Sequence, residues 1–273
     1  MRVPDSFRPL ALIATYNDLD IAPQIVAKLT DDLVEVHIID NWSTDGTFEY
    51  FAALAAGREG VSVERFPQHG PTTYFEWGAI LARKEEIAAH HRSRWIIHQD
   101  SDEVRRSPWA DISLRCGLFV ADLEGFNAIM FTRYEFVPTD DSFAQGTDPE
   151  VHFRYCRTLN GHLPPQLKAW RQPATRVELA ASGGHEVRFA GRKVYPHPFV
   201  LKHYSLRNNE QARRKIFVER LGRYSPAERA SGWHAHYDHL TRTDTFIHNP
   251  SQCIEYVDRP LRGSTDSLPR PPE

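Results

Sequence analysis

Charge of one sign, cysteine pairs and long apolar runs are all missing from this sequence. Its 273 residues carry 33 basic and 36 acidic side chains, a formal charge of -3 at pH 7. The basic excess that marks a nucleic-acid binder is therefore lacking, and no nucleic-acid partner is expected. The cysteines are three, Cys116, Cys156 and Cys253, far apart and in no C-x-x-C pair. That excludes a disulfide framework and a thiolate zinc site, and it fits a reducing cytoplasm. No stretch approaches the roughly 18 to 20 apolar residues that span a bilayer, so neither export nor a membrane span is expected. No internal repeat is visible. With 41% hydrophobic and 25% charged residues, the composition is that of a chain able to bury a core unaided.

What is present is an alternation of apolar runs and helical spacing. Leu10 to Ala14 reads as a strand, followed by the polar turn Thr15-Tyr16-Asn17-Asp18 and a helix from Ile21 to Leu29. Leu33 to Ile39 is a second strand, ending at Asp40 and followed by Asn41-Trp42-Ser43-Thr44-Asp45-Gly46-Thr47 and a helix from Phe48 to Ala56. Val61 to Phe66, a helix from Glu76 to His91 and a buried strand at Trp95 to His98 continue the pattern. This predicts an α/β fold with a mostly parallel central sheet covered by helices on both faces. Beyond a helix at Ala110 to Leu123 and a strand at Ala128 to Phe131, long loops are expected from Val137 to Pro149. Short strands are expected over 164 to 206, a basic helix over Glu210 to Gly222 and another helix over Pro226 to Leu240. A single domain is expected over 1 to 258, in two halves at about 8 to 135 and about 136 to 258. The Pro-rich segment 259 to 273 reads as a flexible tail.

In a parallel sheet, ligands bind beyond the carboxyl ends of the strands, where the polar clusters 15 to 18, 40 to 47 and 100 to 103 all fall. Asp100-Ser101-Asp102 puts two carboxylates two residues apart just past a strand, where both can reach one hard cation that keeps positions open for phosphate oxygens. An isolated D-x-D more often caps a helix or solvates a loop, and here the two neighbouring polar strand ends favour the metal. Asp45-Gly46-Thr47 reads as a helix start, with side-chain oxygens accepting backbone N-H groups. His234, His236 and His239 invite a zinc site, but on one helix the first two point about 200° apart and cannot chelate together. Trp77, Trp170 and Trp233 suit either a core or a platform for sugar rings.

Ala14 to Asn17, the D-N-W-S-T-D-G-T run at 40 to 47 and Asp100-Ser101-Asp102-Glu103 resemble, in order and spacing, the motifs of family 2 type glycosyltransferases with the GT-A fold, a Rossmann-like arrangement. Lys168 to Arg171, Gly184 to Glu186 and His203 to Arg207 with Lys215 resemble the later half of a bacterial subgroup. The resemblance implies a catalytic domain whose first half binds the nucleotide sugar and whose second half forms the acceptor side, with the base of a nucleotide diphosphate sugar donor against Thr15, Tyr16, Asn17 and Asp40 and with Asp100 near the ribose or the metal. It implies a manganese or magnesium ion on Asp100 and Asp102, completed by His203, and phosphate contact by Arg207. Lys215 shares the phosphate-contact reading, and for both residues the alternative is a solvated helix face, which the run Arg213-Arg214-Lys215 favours for most of its members. An inverting transfer needs a base near the acceptor hydroxyl, and Glu186 and His185, in a Gly-rich turn, are the candidates. The Q-x-x-R-W motif of processive polymer synthesis is absent, and so is the usual Asn-x-Gly pattern in 71 to 78. The expected function is transfer of a sugar to an acceptor hydroxyl of a saccharide or glycolipid in polysaccharide or glycoconjugate synthesis. The basic stretch 213 to 223 would suit peripheral contact with the inner face of the membrane. The competing expectations are a nucleotidyltransferase, disfavoured by the lack of a Gly-rich basic loop after the first strand, and a catalytically degenerate sugar-nucleotide binding protein.

Overall fold

The computed structural model describes residues 2 to 157 and 163 to 258; the tail expected at 259 to 273 lies outside them. Four strands lead, β1 (Leu10–Thr15), β2 (Glu35–Asp40), β3 (Val61–Arg65) and β4 (Trp95–Asp100), alternating with α1 (Ala22–Asp31), α2 (Thr47–Gly57) and α3 (Trp77–Ala89). The four pair in parallel in the order β3-β2-β1-β4, with Thr15 beside Asp40 and Ala14 beside Asp100. Three of the polar segments of the sequence thus leave one edge of the sheet.

The second half enlarges the same sheet. It contributes β5 (Glu103–Arg106), α4 (Leu114–Leu123), β6 (Ala128–Glu135), the short α5 (Pro149–His152), β7 (Tyr155–Arg157), β8 (Gln166–Arg171) and β9 (Phe199–His203). The eight-stranded order is β3-β2-β1-β4-β8-β6-β9-β5, in which β8 and β5 run antiparallel to their neighbours and β6 and β9 pair in parallel. A separate antiparallel pair joins β7 to β10 (Cys253–Glu255).

Alternation along β1 explains why both faces are covered. Ala11 and Ile13 face Ile25, Val26 and Leu29 of α1 and Leu118 of α4, whereas Leu10 and Leu12 face Leu81 and Ala88 of α3 together with Trp170. Among the described residues no helix is long and apolar enough to cross a membrane.

Three elements differ from the sequence pattern. The helix expected from Ala110 starts at Leu114, because Ser113 accepts the Cys116 N-H at 3.2 Å and caps it there. The basic helix, α6 (Asn209–Arg213), continues to Arg220 with π-type winding. The helix expected from Pro226 to Leu240 stops after five residues, as α7 (Pro226–Ala230), since Gly232 and His234 adopt left-handed φ angles of 85° and 64°. The histidine run is therefore not one α-helix but a single 3-10 turn over Ala235–Tyr237, and His234 bonds Glu228 at 2.8 Å.

Candidate active site at the strand ends

A cavity of about 520 Å³ opens beyond the carboxyl ends of β1 and β4, walled by β9 on one side and by residues from 220 to 237 above. Thr15, Tyr16, Asp100, Asp102, His185 and His203 line it; Asn17, Asp40, Glu186 and Arg207 do not.

Three of the nonlining residues, Asp40, Asn17 and Arg207, hold the loops beside the cavity. Asp40 is fully buried and accepts from the Ser43 N-H at 2.9 Å, the Ser43 hydroxyl at 2.5 Å and the Thr15 hydroxyl at 3.2 Å. Burial raises its pKa against these bonds. Asn17, at a left-handed φ of 56°, ties three segments together, accepting from Thr44 N at 2.7 Å and donating to Glu219 at 2.9 Å, while its own N-H donates to Ser43 Oγ. Asp45 accepts from Thr47 N at 3.0 Å at the start of α2. Arg207 is fully buried between Asp20, at 2.6 Å, and Asp18, at 3.3 Å, and Ser101 donates to the other oxygen of Asp18 at 2.6 Å. Arg207 thus anchors the loop after β1 to the chain after β9.

Two charged clusters face the cavity. In the first, the Glu103–His203 register of β5 and β9 brings Asp102 beside His203. Asp102 Oδ1 lies 3.3 Å from His203 Nε2, and Oδ2 accepts from Lys215 Nζ at 2.8 Å. The opposite ring nitrogen of His203 bonds Glu135 at 2.7 Å. Burial would raise the Asp102 pKa, but Lys215, His203 and Arg207 outweigh it and hold the carboxyl well below its usual range. Burial would lower the pKa of His203, but Glu135 and Asp102 outweigh it and raise it well above the ordinary histidine value. In the second cluster, Lys168 bridges Asp100 at 3.0 Å and Glu103 at 2.7 Å, and Arg105 closes the far side of Glu103 at 2.6 Å. Asp100 Oδ1 is buried without a hydrogen-bond partner, with His98 Nε2 4.0 Å away. Beneath it His98 is held by Lys84, which is fully buried and donates to His98 Nδ1 at 2.9 Å and to the Gln99 carbonyl at 2.8 Å. Burial lowers Lys84 to about 7.

The two candidate bases part company. Gly184 makes the turn that separates them: its φ is +88°, and a Cβ there would come within 2.8 Å of His98 Nε2, so only glycine lies this close to β4. His185 then reaches the cavity, with Nδ1 3.1 Å from Gln166 Nε2, and burial followed by the charge of Lys168 lowers its pKa and keeps it neutral. Glu186 points outward into a surface ion-pair group, bonded to Arg188 at 2.8 Å and Arg192 at 3.0 Å. Its carboxylate is thus occupied away from the cavity.

Glu135 and Lys84 carried no role in the sequence, and Lys215 was read as a phosphate contact or a solvated helix face. Lys215 sits in a run of basic residues, yet its ammonium turns inward to Asp102 and the Ser205 carbonyl. Glu135 closes β6, and the strand-end rule that singled out Asp40 and Asp100 would have found it. Lys84, in an Ala- and charge-rich helix, had no local signal.

No protein-family model matches the sequence, and no curated protein matches it. Among solved structures the chain is similar to the mannosyltransferase PcManGT from Pyrobaculum calidifontis, determined in complex with GDP-Man and Mn2+. The identity is 21% and the TM-score 0.30, and the alignment covers 47% of this chain and 37% of the length of that one.

Proposed function

We propose that this chain transfers a glycosyl group from a nucleoside diphosphate sugar to an acceptor hydroxyl. The observation that carries the reading is one cavity at the carboxyl ends of parallel strands that combines Asp102 and His203 with two lysines, Lys168 and Lys215, and a neutral imidazole, His185. Such a site has acceptors for a cation, cations for phosphate oxygens and a proton acceptor within one space.

Asp102 and His203 suit a divalent cation, which would take the place of the proton on His203 Nε2. Glu135 holds His203 by Nδ1 and turns Nε2 toward Asp102, the second-layer arrangement that orients a metal-binding imidazole. The 3.3 Å between Nε2 and Oδ1 is close to the roughly 3 Å that separates neighbouring ligands about 2.1 Å from one ion. Because the two ring nitrogens point apart, Glu135 does not join this set. Among the described residues no three such side chains converge on one point. Two protein ligands, with phosphate and water in the other positions, are the usual manner of magnesium binding. Manganese or magnesium held there would neutralise charge on the departing diphosphate.

Lys168 and Lys215 lie where they can share that charge, as fixed donors needing no reorganisation. The acceptor oxygen attacks the anomeric carbon as the bond from that carbon to the diphosphate oxygen breaks. The electron pair leaves with the nucleoside diphosphate, and the hydroxyl proton passes to His185 Nε2. That requires Nδ1-H to donate to Gln166. The Gln166 Oε1 atom is buried and unpartnered, and half a turn of the amide presents it to Nδ1. Attack on the face opposite the leaving group gives inversion.

The test is release of nucleoside diphosphate from a panel of UDP-, GDP-, dTDP-, CDP- and ADP-sugars with manganese, with water or added saccharides as acceptor. Release from one class is expected. No release from any, with nucleotide binding retained, would favour the degenerate binding protein.

A further inference from the structure

The aromatic end of the cavity is not used by the chemistry above. Trp170 shows what a core indole looks like in this fold: it is fully buried and its N-H bonds Gln172 at 2.7 Å. Trp77 and Trp233 differ, since both are half-buried and both line the cavity. They flank the turn that carries His185. Trp77 donates from its indole N-H to the Gly183 carbonyl at 3.0 Å, and the Trp233 ring lies 3.7 Å from where a Gly183 side chain would begin.

Trp233 is presented by a strap with its own fastening, separate from the carboxylate clusters. One oxygen of Glu228 accepts from the Gly78 N-H at 2.6 Å at the start of α3, and the other bonds His234 Nε2 at 2.8 Å. His234 in turn stacks on Tyr224 with ring centres 4.3 Å apart and planes 6° from parallel. The strap is also stitched to Phe75, whose N-H donates to the Arg223 carbonyl. A ring fixed in this way loses little freedom when a ligand covers it.

We propose that Trp233, with Trp77, is the platform for the acceptor and that the acceptor is a saccharide. A pyranose presents a C-H face that packs on an indole and a rim of hydroxyls that needs polar partners. The same turn offers the His185 imidazole beside the indoles. A hydroxyl of a sugar seated there lies at the imidazole that would take its proton. A nucleobase has a separate aromatic surface, Tyr16 after β1, with the Arg223 guanidinium 4.3 Å from its ring centre. The acceptor role rests on the glycosyl-transfer reading, whereas saccharide binding at Trp233 stands apart from it.

The experiment titrates the full chain with methyl glycosides of glucose, galactose, mannose and N-acetylglucosamine, and with the corresponding disaccharides, following indole fluorescence. The same nucleoside diphosphates are titrated in parallel. At least one saccharide binds the wild type, and Trp233→Ala weakens it on the order of tenfold or more, as loss of a central aromatic contact does elsewhere. Trp233→Phe recovers most of the affinity, and nucleoside diphosphate binding is unchanged in both variants. Glu228→Ala, which frees the strap but keeps the indole, also weakens the saccharide. Unchanged saccharide affinity in Trp233→Ala, or no saccharide binding by the wild type, overturns the proposal. So does a loss that falls on the nucleotide instead. Saccharide binding that depends on Trp233 in a protein that binds no nucleotide would leave this inference standing and remove the transferase reading.

Discussion

Lys84 should make the stability of this protein rise with pH across a range where most proteins are flat. The ammonium is fully buried, and its hydrogen bonds go to His98 Nδ1 and the Gln99 carbonyl. Burial brings its pKa down to about 7 from the ordinary lysine value of 10.5. Below pH 7 both the folded and the unfolded chain carry the proton, and the cost of burying the charge is constant. Between pH 7 and 10.5 the unfolded chain holds a proton that the folded chain has released, so stability rises with pH at up to about 1.4 kcal/mol per unit. Integrated from pH 7, where the folded lysine is half charged, to pH 9, the gain is about 2 kcal/mol. Lys84→Met keeps the length of the side chain and removes the titration. The bonds lost to His98 and Gln99 are lost at both pH values and cancel in the comparison. Urea unfolding of both proteins at pH 7 and pH 9 gives the difference directly. The wild type should gain about 2 kcal/mol more than the variant over this interval. Equal gains would refute the claim that Lys84 is held neutral by burial, because every other titrating group is common to both chains.

Two further outcomes follow from the same structure. Arg207→Ala strips the partner from Asp18 and Asp20 at a fully buried position and should cost about 3 to 5 kcal/mol in urea unfolding, with a loss under about 1 kcal/mol contradicting the anchoring role. His185→Ala should lower kcat by about 10² to 10⁴-fold with donor affinity unchanged, whereas Glu186→Gln should leave kcat within about twofold. The reverse ranking in a turnover assay would return the base to Glu186.

β1, β2 and β4 were legible because each buries apolar residues on two faces, β3 was legible by its alternation, and the polar ends of β1, β2 and β4 announced where a ligand belongs. β5 escaped the same reading. Its sequence, Glu103-Val104-Arg105-Arg106, has no apolar alternation, because Glu103 and Arg105 are buried as an ion pair with Lys168 rather than exposed. That strand brings Asp102 to His203, so the motif identified both residues while their meeting depended on a register that no local pattern encodes. Asp40, Asn17 and Arg207 were read as ligand contacts on the strength of resemblance. Their hydrogen bonds go to Ser43, Thr44, Asp18 and Asp20, and they hold the loops from which Thr15 and Tyr16 line the cavity. Lys215 was hidden by its neighbours: Arg213 bonds the Arg242 carbonyl, Arg214 the Asn17 carbonyl and Lys215 Asp102, three directions from one basic run.

The claim that a nucleoside diphosphate is held through a cation at Asp102 and His203 is tested most directly by thermal unfolding. UDP, GDP, dTDP, CDP and ADP are each added with and without manganese, to the wild type and to Asp102→Asn. Ligand at about 100 times its dissociation constant stabilises by roughly 2.7 kcal/mol, a rise of about 5 °C or more for a chain of this size. The account predicts such a rise for at least one nucleotide, dependent on manganese and absent in Asp102→Asn. A rise of equal size in both proteins, or one that ignores manganese, would contradict it.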